Sequence, residues 1–489
     1  MPNLIVVNNP KDWTFEIPGV ELVSARSYLS DSSYSQMRQA RVFNLCKSYR
    51  YQSIGYYVSL LASARGHKPL PNITTIQDLK SQSLIRFVDD DLDELIQKSL
   101  SSIQGDDFTL SIYFGRDVTK HYDRLALQLY NLFPAPLLKA EFTRNKDGWH
   151  LHDIDPIPTG DIPKEHRGFL IDVATGHFSG RGVGTVKKKT QRYDMAILWD
   201  PRESEGPSNE KAIKRFISAA TDLGISAEVI GRDDYGSIAE YDALFIRETT
   251  SVNHHTYRFA RRAKAEGLIV VDDPESILKC SNKVYLAELL SHHNIPTPKT
   301  SIAHKDNLDD IVKEIGVPCV LKQPDSAFSQ GVIKTETKES FLAEANRLLS
   351  KSDLVVVQEY LPTDFDWRVG IFDHKPLFVC KYFMARNHWQ IIKRDSVGRK
   401  QEGRFETLPV ELAPHQVVRT ALKAANLIGD GLYGVDIKQI GKSCYVMEIN
   451  DNPNVDAGIE DLIVKQALYE RIMEVFLKRI TNCKNGSPN

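Results

Sequence analysis

Asp436, Glu448 and Asn450 are residues whose types and spacing could do chemistry. They lie in the stretch Gly431–Pro453, which reads as two short strands, Tyr433–Gln439 and Cys444–Ile449, joined by a turn at Gly441 and Lys442. Apolar and polar residues alternate on both arms, the period-two pattern of a half-buried strand. On the first arm Val435 and Ile437 share a face and Asp436 takes the other; on the second, Val446, Glu448 and Asn450 are expected to share one. Closing the hairpin gathers Asp436, Glu448 and the Asn450 amide. Three oxygen-bearing side chains without His or Cys suit a hard cation such as Mg2+, whose shell phosphate oxygens commonly complete. Taken alone, such a trio more often marks a strand face that is simply solvated, so the rest of the chain has to decide.

Four upstream features bear on it. Lys283, in Ser281-Asn-Lys, stands at a helix start, where backbone N–H groups favour anions. Lys322 ends the apolar strand of Pro318-Cys-Val-Leu-Lys, a costly position for a lysine unless it meets an anion. Gln358, Glu359, Tyr360 and Leu361 close another apolar strand and offer carboxamide and backbone groups to a nucleobase edge. Asp366 and Arg368, two apart, share a face of an extended strand. Arg247 follows the strand Ala243–Arg247 at its carboxyl end, where open α/β sheets place ligands; a substrate contact and a structural ion pair suit it equally. The Gly441-Lys442-Ser443 triplet is not a phosphate-binding P-loop, because the glycine required five positions earlier is Asp436.

The elements that must position these residues follow from periodicity. Residues 1–180 read as an α/β domain: strands Leu4–Val7 and Val20–Val23, helix Ile54–Ala64 ending at Gly66, helix Asp91–Ile103, strand Phe108–Phe114, helix Tyr122–Leu132, and a hairpin over Leu137–His152 turning at residues 146–148. Ser48–Tyr57 is dense in Tyr and Arg, which suits amphipathic packing residues better than a recognition surface. His150 and His152 can face the same way, but no third ligand accompanies them. Gly176–Arg192, Gly-rich and then basic, reads as a flexible connection, with the linker proper at 181–192. Strands Met195–Trp199, Ala227–Ile230, Ala243–Arg247 and Leu268–Val271 alternate with helices Asn209–Leu223 and Tyr257–Ala265, predicting a small parallel sheet over 193–275. From 276 to 489 the pattern is mixed. Helices are expected at Lys283–Ser291, Glu339–Leu349 and Pro414–Asn426. Strands are expected at Cys319–Lys322, Leu354–Glu359, Trp367–Phe372 and Leu377–Phe383. A terminal helix over Ile459–Arg479 would carry a stripe of Ile463, Leu468, Ile472, Val475 and Phe476.

A chain of 489 residues exceeds one core and predicts several domains. The net charge of −2 gives no electrostatic case for nucleic acid or an anionic membrane. No apolar run reaches membrane-spanning length, and the N-terminus has no basic flank of a signal peptide. The 6 cysteines are scattered without a CxxC, which fits a reducing cytoplasm and no zinc site.

In order, Ser-Asn-Lys283, Val-Leu-Lys322, Val-Gln-Glu-Tyr360, Asp-Trp-Arg-Val369, Gly-Val-Asp-Ile437 and Met-Glu-Ile-Asn-Asp-Asn-Pro453 resemble an ATP-grasp ligase. Over residues 195–480 the chain is most similar to the RimK group of glutamate ligases, with glutathione synthetase a more distant relative. The first 180 residues resemble, more weakly, the extra N-terminal domain of some RimK-type ligases. The resemblance implies a small parallel-sheet pre-ATP-grasp domain and a two-lobed ATP-grasp domain, a multidomain α/β and α+β architecture. It implies that Lys283 and Lys322 hold ATP phosphates and that Gln358, Glu359, Tyr360 and Leu361 line the adenine pocket. Asp366 would bind ribose, and Asp436, Glu448 and Asn450 would hold two Mg2+, with Mn2+ an alternative. Arg368 and Arg247 would face an acyl phosphate or substrate carboxylate. The implied reaction joins an amino acid, glutamate among the candidates, to a carboxylate of a small molecule, peptide or protein through an acyl phosphate. Homodimers or homotetramers are the implied assemblies. A non-catalytic ATP-binding regulator and an ATP-grasp phosphotransferase are the alternatives. Two segments depart from the family: the phosphate-covering loop is glycine-poor, Pro324-Asp-Ser-Ala-Phe-Ser-Gln-Gly331, and an Arg-Ser-Asn segment is replaced by His388-Trp-Gln-Ile-Ile392.

Overall fold

The computed structural model describes residues 2–13, 16–37, 39–146, 148–179, 192–203, 205–325, 331–386, 388–394 and 400–485. The chain divides into two compact units, residues 1–192 with 232–240, and residues 193–231 with 241–489.

The first unit holds two sheets. Strands β1 (Asn3–Val7), β2 (Val20–Ser24), β3 (Arg41–Asn44) and β4 (Lys68–Leu70) form a parallel sheet in the order β2-β1-β3-β4. Leu4 to Val7 are all buried, as a parallel strand covered on both faces requires. Strands β5 (Asp107–Tyr113), β6 (Arg116–Asp117), β7 (Leu137–Asn145) and β8 (Gly148–Pro156) form an antiparallel sheet in the order β6-β5-β7-β8. Residue 147 of the anticipated turn lies outside the described residues. Helix Ile54–Ala64 starts where the Ser53 hydroxyl accepts from Tyr56 N at 3.3 Å, and the chain turns away at Gly66 with φ 71°.

Two expectations in this unit are corrected. The helix expected from Asp91 begins at Gln82 and ends at Leu100, because Ile85, Val88, Leu92, Ile96 and Leu100 make one continuous buried stripe. Gly176–Ser179 is not linker but the last turn of helix Arg167–Ser179. There the i, i+4 series Leu170, Ala174, Phe178 enters the core, with Phe178 edge-on to Phe43 at 4.7 Å. Residues 180–191 of the linker fall outside the described residues.

In the second unit β9 (Tyr193–Leu198), β10 (Ile225–Ile230), β11 (Ala243–Ile246) and β12 (Ile269–Val271) form the small parallel sheet, order β10-β9-β11-β12. Strands β13 (Thr300–Ala303), β14 (Cys319–Lys322), β15 (Val332–Thr335) and β16 (Val355–Glu359) form an antiparallel sheet, order β13-β16-β14-β15, against helices Leu308–Ile315 and Lys338–Leu349. The remaining strands are β17 (Phe365–Phe372), β18 (Lys375–Phe383), the paired β19 (Ile392–Arg394) and β20 (Lys400–Glu402), β21 (Phe405–Leu408), β22 (Tyr433–Ile440) and β23 (Ser443–Asn450). Five of them make an antiparallel sheet, order β21-β18-β17-β22-β23, backed by helix His415–Ile428. The two antiparallel sheets are the two lobes anticipated for this region.

The terminal helix runs Gln466–Lys484 and buries Leu468, Tyr469, Ile472, Met473, Phe476 and Ile480. It starts later than expected because Lys465 takes φ 49° and breaks the helical path; Ile463, before that break, is 45% exposed and outside the stripe. No helix among the described residues is long and apolar enough to cross a membrane.

Candidate functional site

The hairpin β22–β23 is the floor of the site. Val435 and Ile437 pack into the core beneath it, which turns Asp436 and, two residues on, Lys438 to the opposite face. Asp436 pairs with Glu448 and Gly434 with Asn450, but Ile437 pairs with Val446, so Met447 is an inserted bulge residue. The bulge corrects the expectation for the second arm. Val446 and Glu448 do not share a face; Val446 joins the core at 1% exposure while Glu448 stands with Asp436 and Asn450. Strict alternation has no place for an extra residue, so period-two reading put Val446 on the wrong side.

β17 lies antiparallel beside β22 with Arg368 opposite Asp436. The two strands carry opposite charges crosswise. Arg368 donates from Nε and Nη2 to both Asp436 oxygens at 2.7 Å, and Lys438 Nζ donates to Asp366 Oδ1 at 2.6 Å. Lys438 also donates to Thr363 Oγ1 at 2.6 Å. The Arg368 guanidinium lies over the Tyr382 ring at 5.2 Å. Burial alone would pull Arg368 down, yet the Asp436 carboxylate outweighs it and holds the guanidinium well above its ordinary value. Burial pushes the Asp366 carboxyl up, against the pull of Lys438. Lys438 and Thr363 were missed from the sequence; the available signal was that Lys438 shares the alternating face of Asp436.

The two expected phosphate lysines approach from other elements. Asn282 caps helix Lys283–His292 by accepting from Val284 N and Tyr285 N at 3.0 Å, which places Lys283 in the first turn. Lys283 Nζ reaches Glu448 Oε1 at 2.7 Å. Lys322, at the end of β14, donates to the carbonyl of the bulge residue Met447 at 3.4 Å. Burial pushes the Lys322 ammonium down to about 8, with neighbouring Lys283 acting in the same direction. For Glu448, burial pushes up, but Lys283 and Lys322 together overcome it and keep the carboxyl below its usual range. Asn450 Nδ2 contacts Asp436 Oδ2 and the Gly434 carbonyl, both at 3.4 Å.

Lys283, Lys322, Gln358 and Glu448 line one small cavity of about 30 Å3. Gln358 is buried; its amide donates to Thr300 Oγ1 at 2.9 Å, while its Oε1 has no hydrogen-bond partner among the described residues. A buried acceptor without a donor is costly, and the exocyclic amine of a nucleobase is a group that would satisfy it. Glu359 is committed to the backbone: its carboxylate accepts from Lys299 N at 2.7 Å. Tyr360 carries Lys334 Nζ over its ring at 4.0 Å and meets Trp389 edge-on at 6.1 Å. Leu361 follows, half-buried. The divergent segment therefore touches Tyr360 through Trp389, which stacks on His388 at 6.0 Å. The body of the glycine-poor loop, residues 326–330, lies outside the described residues.

Asp436, Glu448 and Asn450 do come together, and their all-oxygen donor set fits Mg2+. Among the described residues no group of three His, Cys, Asp or Glu side chains could hold a metal by itself, so the third donor would be the Asn450 amide.

Arg247 stands apart from this group. It is fully buried beyond β11, and its guanidinium donates to Ser208 Oγ at 3.0 Å, Asn452 Oδ1 at 2.6 Å, and the Pro207 and Pro453 carbonyls at 2.5 and 2.8 Å. With Nε and both terminal nitrogens engaged, it clamps the turn after Asn450 and does not present itself to a substrate, correcting that expectation. Asn452 in turn donates to the Glu248 carbonyl at 2.6 Å, and Thr250 Oγ1 to Asp451 at 2.7 Å.

Residues 25–173 match the RimK-like ATPgrasp N-terminal domain, and residues 280–454 match the ATP-grasp domain. A protein of Vibrio vulnificus described as "Probable alpha-L-glutamate ligase" is 27% identical over 266 residues, spanning 52% of this chain and 79% of the relative. A protein of Shewanella loihica with the same description is 28% identical over 240 residues, 48% of this chain and 77% of the relative. The crystal structure of D-alanine–D-alanine ligase from Bacillus anthracis aligns with TM-score 0.47 and 16% identity, over 60% of this chain and 99% of that one.

Proposed function

Because the chain carries a RimK-like ATP-grasp N-terminal domain followed by an ATP-grasp domain, we propose that it is an ATP-dependent, ADP-forming carboxylate–amine ligase. The observation that carries the reading is the convergence of Lys283 and Lys322 on the hairpin that bears Asp436, Glu448 and Asn450. Two lysines and the Glu448 carboxylate on one small cavity, with Asp436 beside it in register on the hairpin, supply the cations a nucleotide triphosphate needs and the oxygens its metal needs.

Lys283 and Lys322 bind the phosphates, exchanging their contacts with Glu448 and the Met447 carbonyl for phosphate oxygens. Gln358 Oε1 accepts from the adenine amine, beside Glu359, Tyr360 and Leu361. Asp366, held by Lys438, takes the ribose hydroxyls. Asp436, Glu448 and Asn450 hold Mg2+, two ions or Mn2+ in its place. The metal supplies charge neutralisation on the phosphates when bound. Arg368, fixed by Asp436, presents positive charge to the developing acyl phosphate. A substrate carboxylate oxygen attacks the γ-phosphorus, the bond to the β,γ-bridging oxygen breaks, and ADP leaves. An amine nitrogen then attacks the acyl carbon, phosphate departs with the C–O electron pair, and the amine loses its proton to give an amide.

The relatives' descriptions support glutamate as the amino acid joined. A cytoplasmic homo-oligomer acting on a carboxylate acceptor is the setting this reading assigns. The test is phosphate release and product mass from ATP, Mg2+, an amino-acid panel and candidate carboxylates. Phosphate release that requires both a carboxylate and an amine, with the amide mass appearing, supports the ligase. ADP without free phosphate would mean a phosphotransferase, and ATP retention without turnover under any acceptor pair a regulator.

A further inference from the structure

The first unit contains a larger cleft than the cavity beside Lys283 and Lys322, about 490 Å3, within the range that takes small organic ligands. It opens at the carboxyl end of the parallel sheet. β1 is flanked by β2 on one side and β3 on the other, which puts the switch point of the sheet between β1 and β3; the cleft lies beside it, lined by the segments that follow β3 and β4. The loop leaving β3 forms one wall, and its shape is set before any ligand arrives. Lys47 N donates to Asn8 Oδ1 at 2.6 Å, across the switch point, and Ser53 Oγ donates to the Ser48 carbonyl at 2.7 Å. Asn44 donates to the Gly55 carbonyl at 2.7 Å; a Cβ at Gly55 would sit 2.4 Å from the Ser48 carbonyl oxygen, so the helix and loop can pack this closely only with glycine there. The opposite wall is a cross-strand row of the antiparallel sheet, Ser111 on β5, Lys139 on β7 and Asp155 on β8 in register.

Charge in the cleft is mixed but uneven. Lys47, Arg50, Lys80 and Lys139 line it together with Asp155 and Asp161. Lys139 is kept protonated by Glu141 at 2.6 Å, and Lys80 is oriented through its bond to the Tyr49 carbonyl at 2.9 Å. A simple polyanion would be repelled by the two aspartates and by Glu141, which pairs with Lys139, and a cation by Lys47, Arg50 and Lys80. A ligand carrying one ammonium and more than one carboxylate satisfies both sets. The geometry points to a second binding site, in the N-terminal domain, for an acidic amino acid, either free or as the end of a short acidic peptide. Choosing an amino acid among such zwitterions rests on the ligase reading; the site and its charge preference do not. Its use would be to hold the amino acid, or a chain already extended by it, outside the ATP-grasp domain.

The test is calorimetric titration of the whole 489-residue chain without ATP, using L-glutamate, tri-glutamate, L-glutamine and glutarate. Saturable binding of glutamate or tri-glutamate is expected, the stronger of the two identifying the source. Glutamine, lacking the side-chain carboxylate, and glutarate, lacking the ammonium, should each bind at least about tenfold more weakly, as loss of a charged contact predicts. Lys139→Met and Arg50→Ala should each weaken binding by at least about tenfold, and Asp155→Asn should erase the preference for glutamate over glutarate. ATP binding by these variants should stay within about twofold of the parent, a change below the loss of one charged contact. Absence of binding by both glutamate and its peptide, or binding that survives the Lys139 and Arg50 changes, would overturn the proposal. Because no turnover is read, a failed ligase assay leaves this result intact, and failed binding leaves the ligase reading intact.

Discussion

Arg368 and Asp436 face each other on neighbouring antiparallel strands and are joined by two parallel hydrogen bonds of 2.7 Å, one from Nε and one from Nη2. The pair fixes the carboxylate proposed to hold metal in one orientation, since a planar guanidinium fork matches both oxygens at once. Asp436→Asn keeps the shape but leaves Arg368 buried without its counter-charge. Loss of a buried partner typically costs about 3–5 kcal/mol. Denaturant unfolding should show a drop of that order, and ADP formation should fall by at least about 100-fold, the scale of losing one electrostatic stabiliser. Full turnover in this variant would remove Asp436 from the metal site.

Glu448 differs in that its partner, Lys283, comes from a helix and not from the sheet. Glu448→Gln retains the hydrogen-bonding shape and removes the charge. The expected outcome is a rise in the Mg2+ concentration needed for half-maximal rate, by about tenfold or more as for loss of a metal ligand's charge. A steady-state Mg2+ titration reads it, and an unchanged Mg2+ requirement would exclude Glu448 as a ligand.

Lys322 provides a pH signature. Its ammonium titrates near 8 because burial disfavours the charge, below the ordinary lysine value of 10.5. Between those two values the unfolded chain binds more protons than the folded one, so this group makes folding more favourable as pH rises from about 8 to 10.5. Nucleotide binding runs the other way: phosphate favours the protonated amine, so ATP affinity should weaken as pH rises above about 8 and binding there should take up a proton. Calorimetry at pH 8.5 in buffers of different ionisation enthalpy, about as far above the transition as is needed to see uptake, measures it directly. Lys322→Arg should abolish the uptake; uptake of equal size in that variant would assign it elsewhere.

Arg247 is expected to behave as a clamp. Arg247→Lys keeps the charge but cannot reach four acceptors, so the turn over Asp451–Pro453 loses its anchor. Stability should fall by about 2–4 kcal/mol, the scale of one or two charged hydrogen bonds left unmade. In that variant the KM for the carboxylate should move no more than the KM for ATP, measured under saturating partner. A selective rise for the carboxylate would restore Arg247 to the substrate site.

Much of the site was written locally. Asp436, Arg368 and Asp366 could be placed on strand faces because alternation is a property of the backbone alone, and the parallel order of β9–β12 follows from strand–helix alternation. Even Lys438 was within reach by the same rule. The bulge at Met447 was not, since an inserted residue is stabilised by the partner strand and by the core that accepts Val446, neither of which is adjacent in sequence.

By itself, then, the amino-acid sequence determined the faces of strand residues wherever alternation is unbroken, as at Asp436, and the order in which Lys283, Lys322, Gln358, Asp366, Asp436, Glu448 and Asn450 follow one another. Tertiary structure alone decided which charges meet. Lys283 finds Glu448 at a separation of 165 positions in the chain numbering, 448 less 283, and Arg247 closes on Asn452 and Pro453 from a different sheet. Whether a buried cation points at a ligand or at its own backbone depends on which acceptors the fold brings within about 3 Å, and for Arg247 the fold supplied four of them.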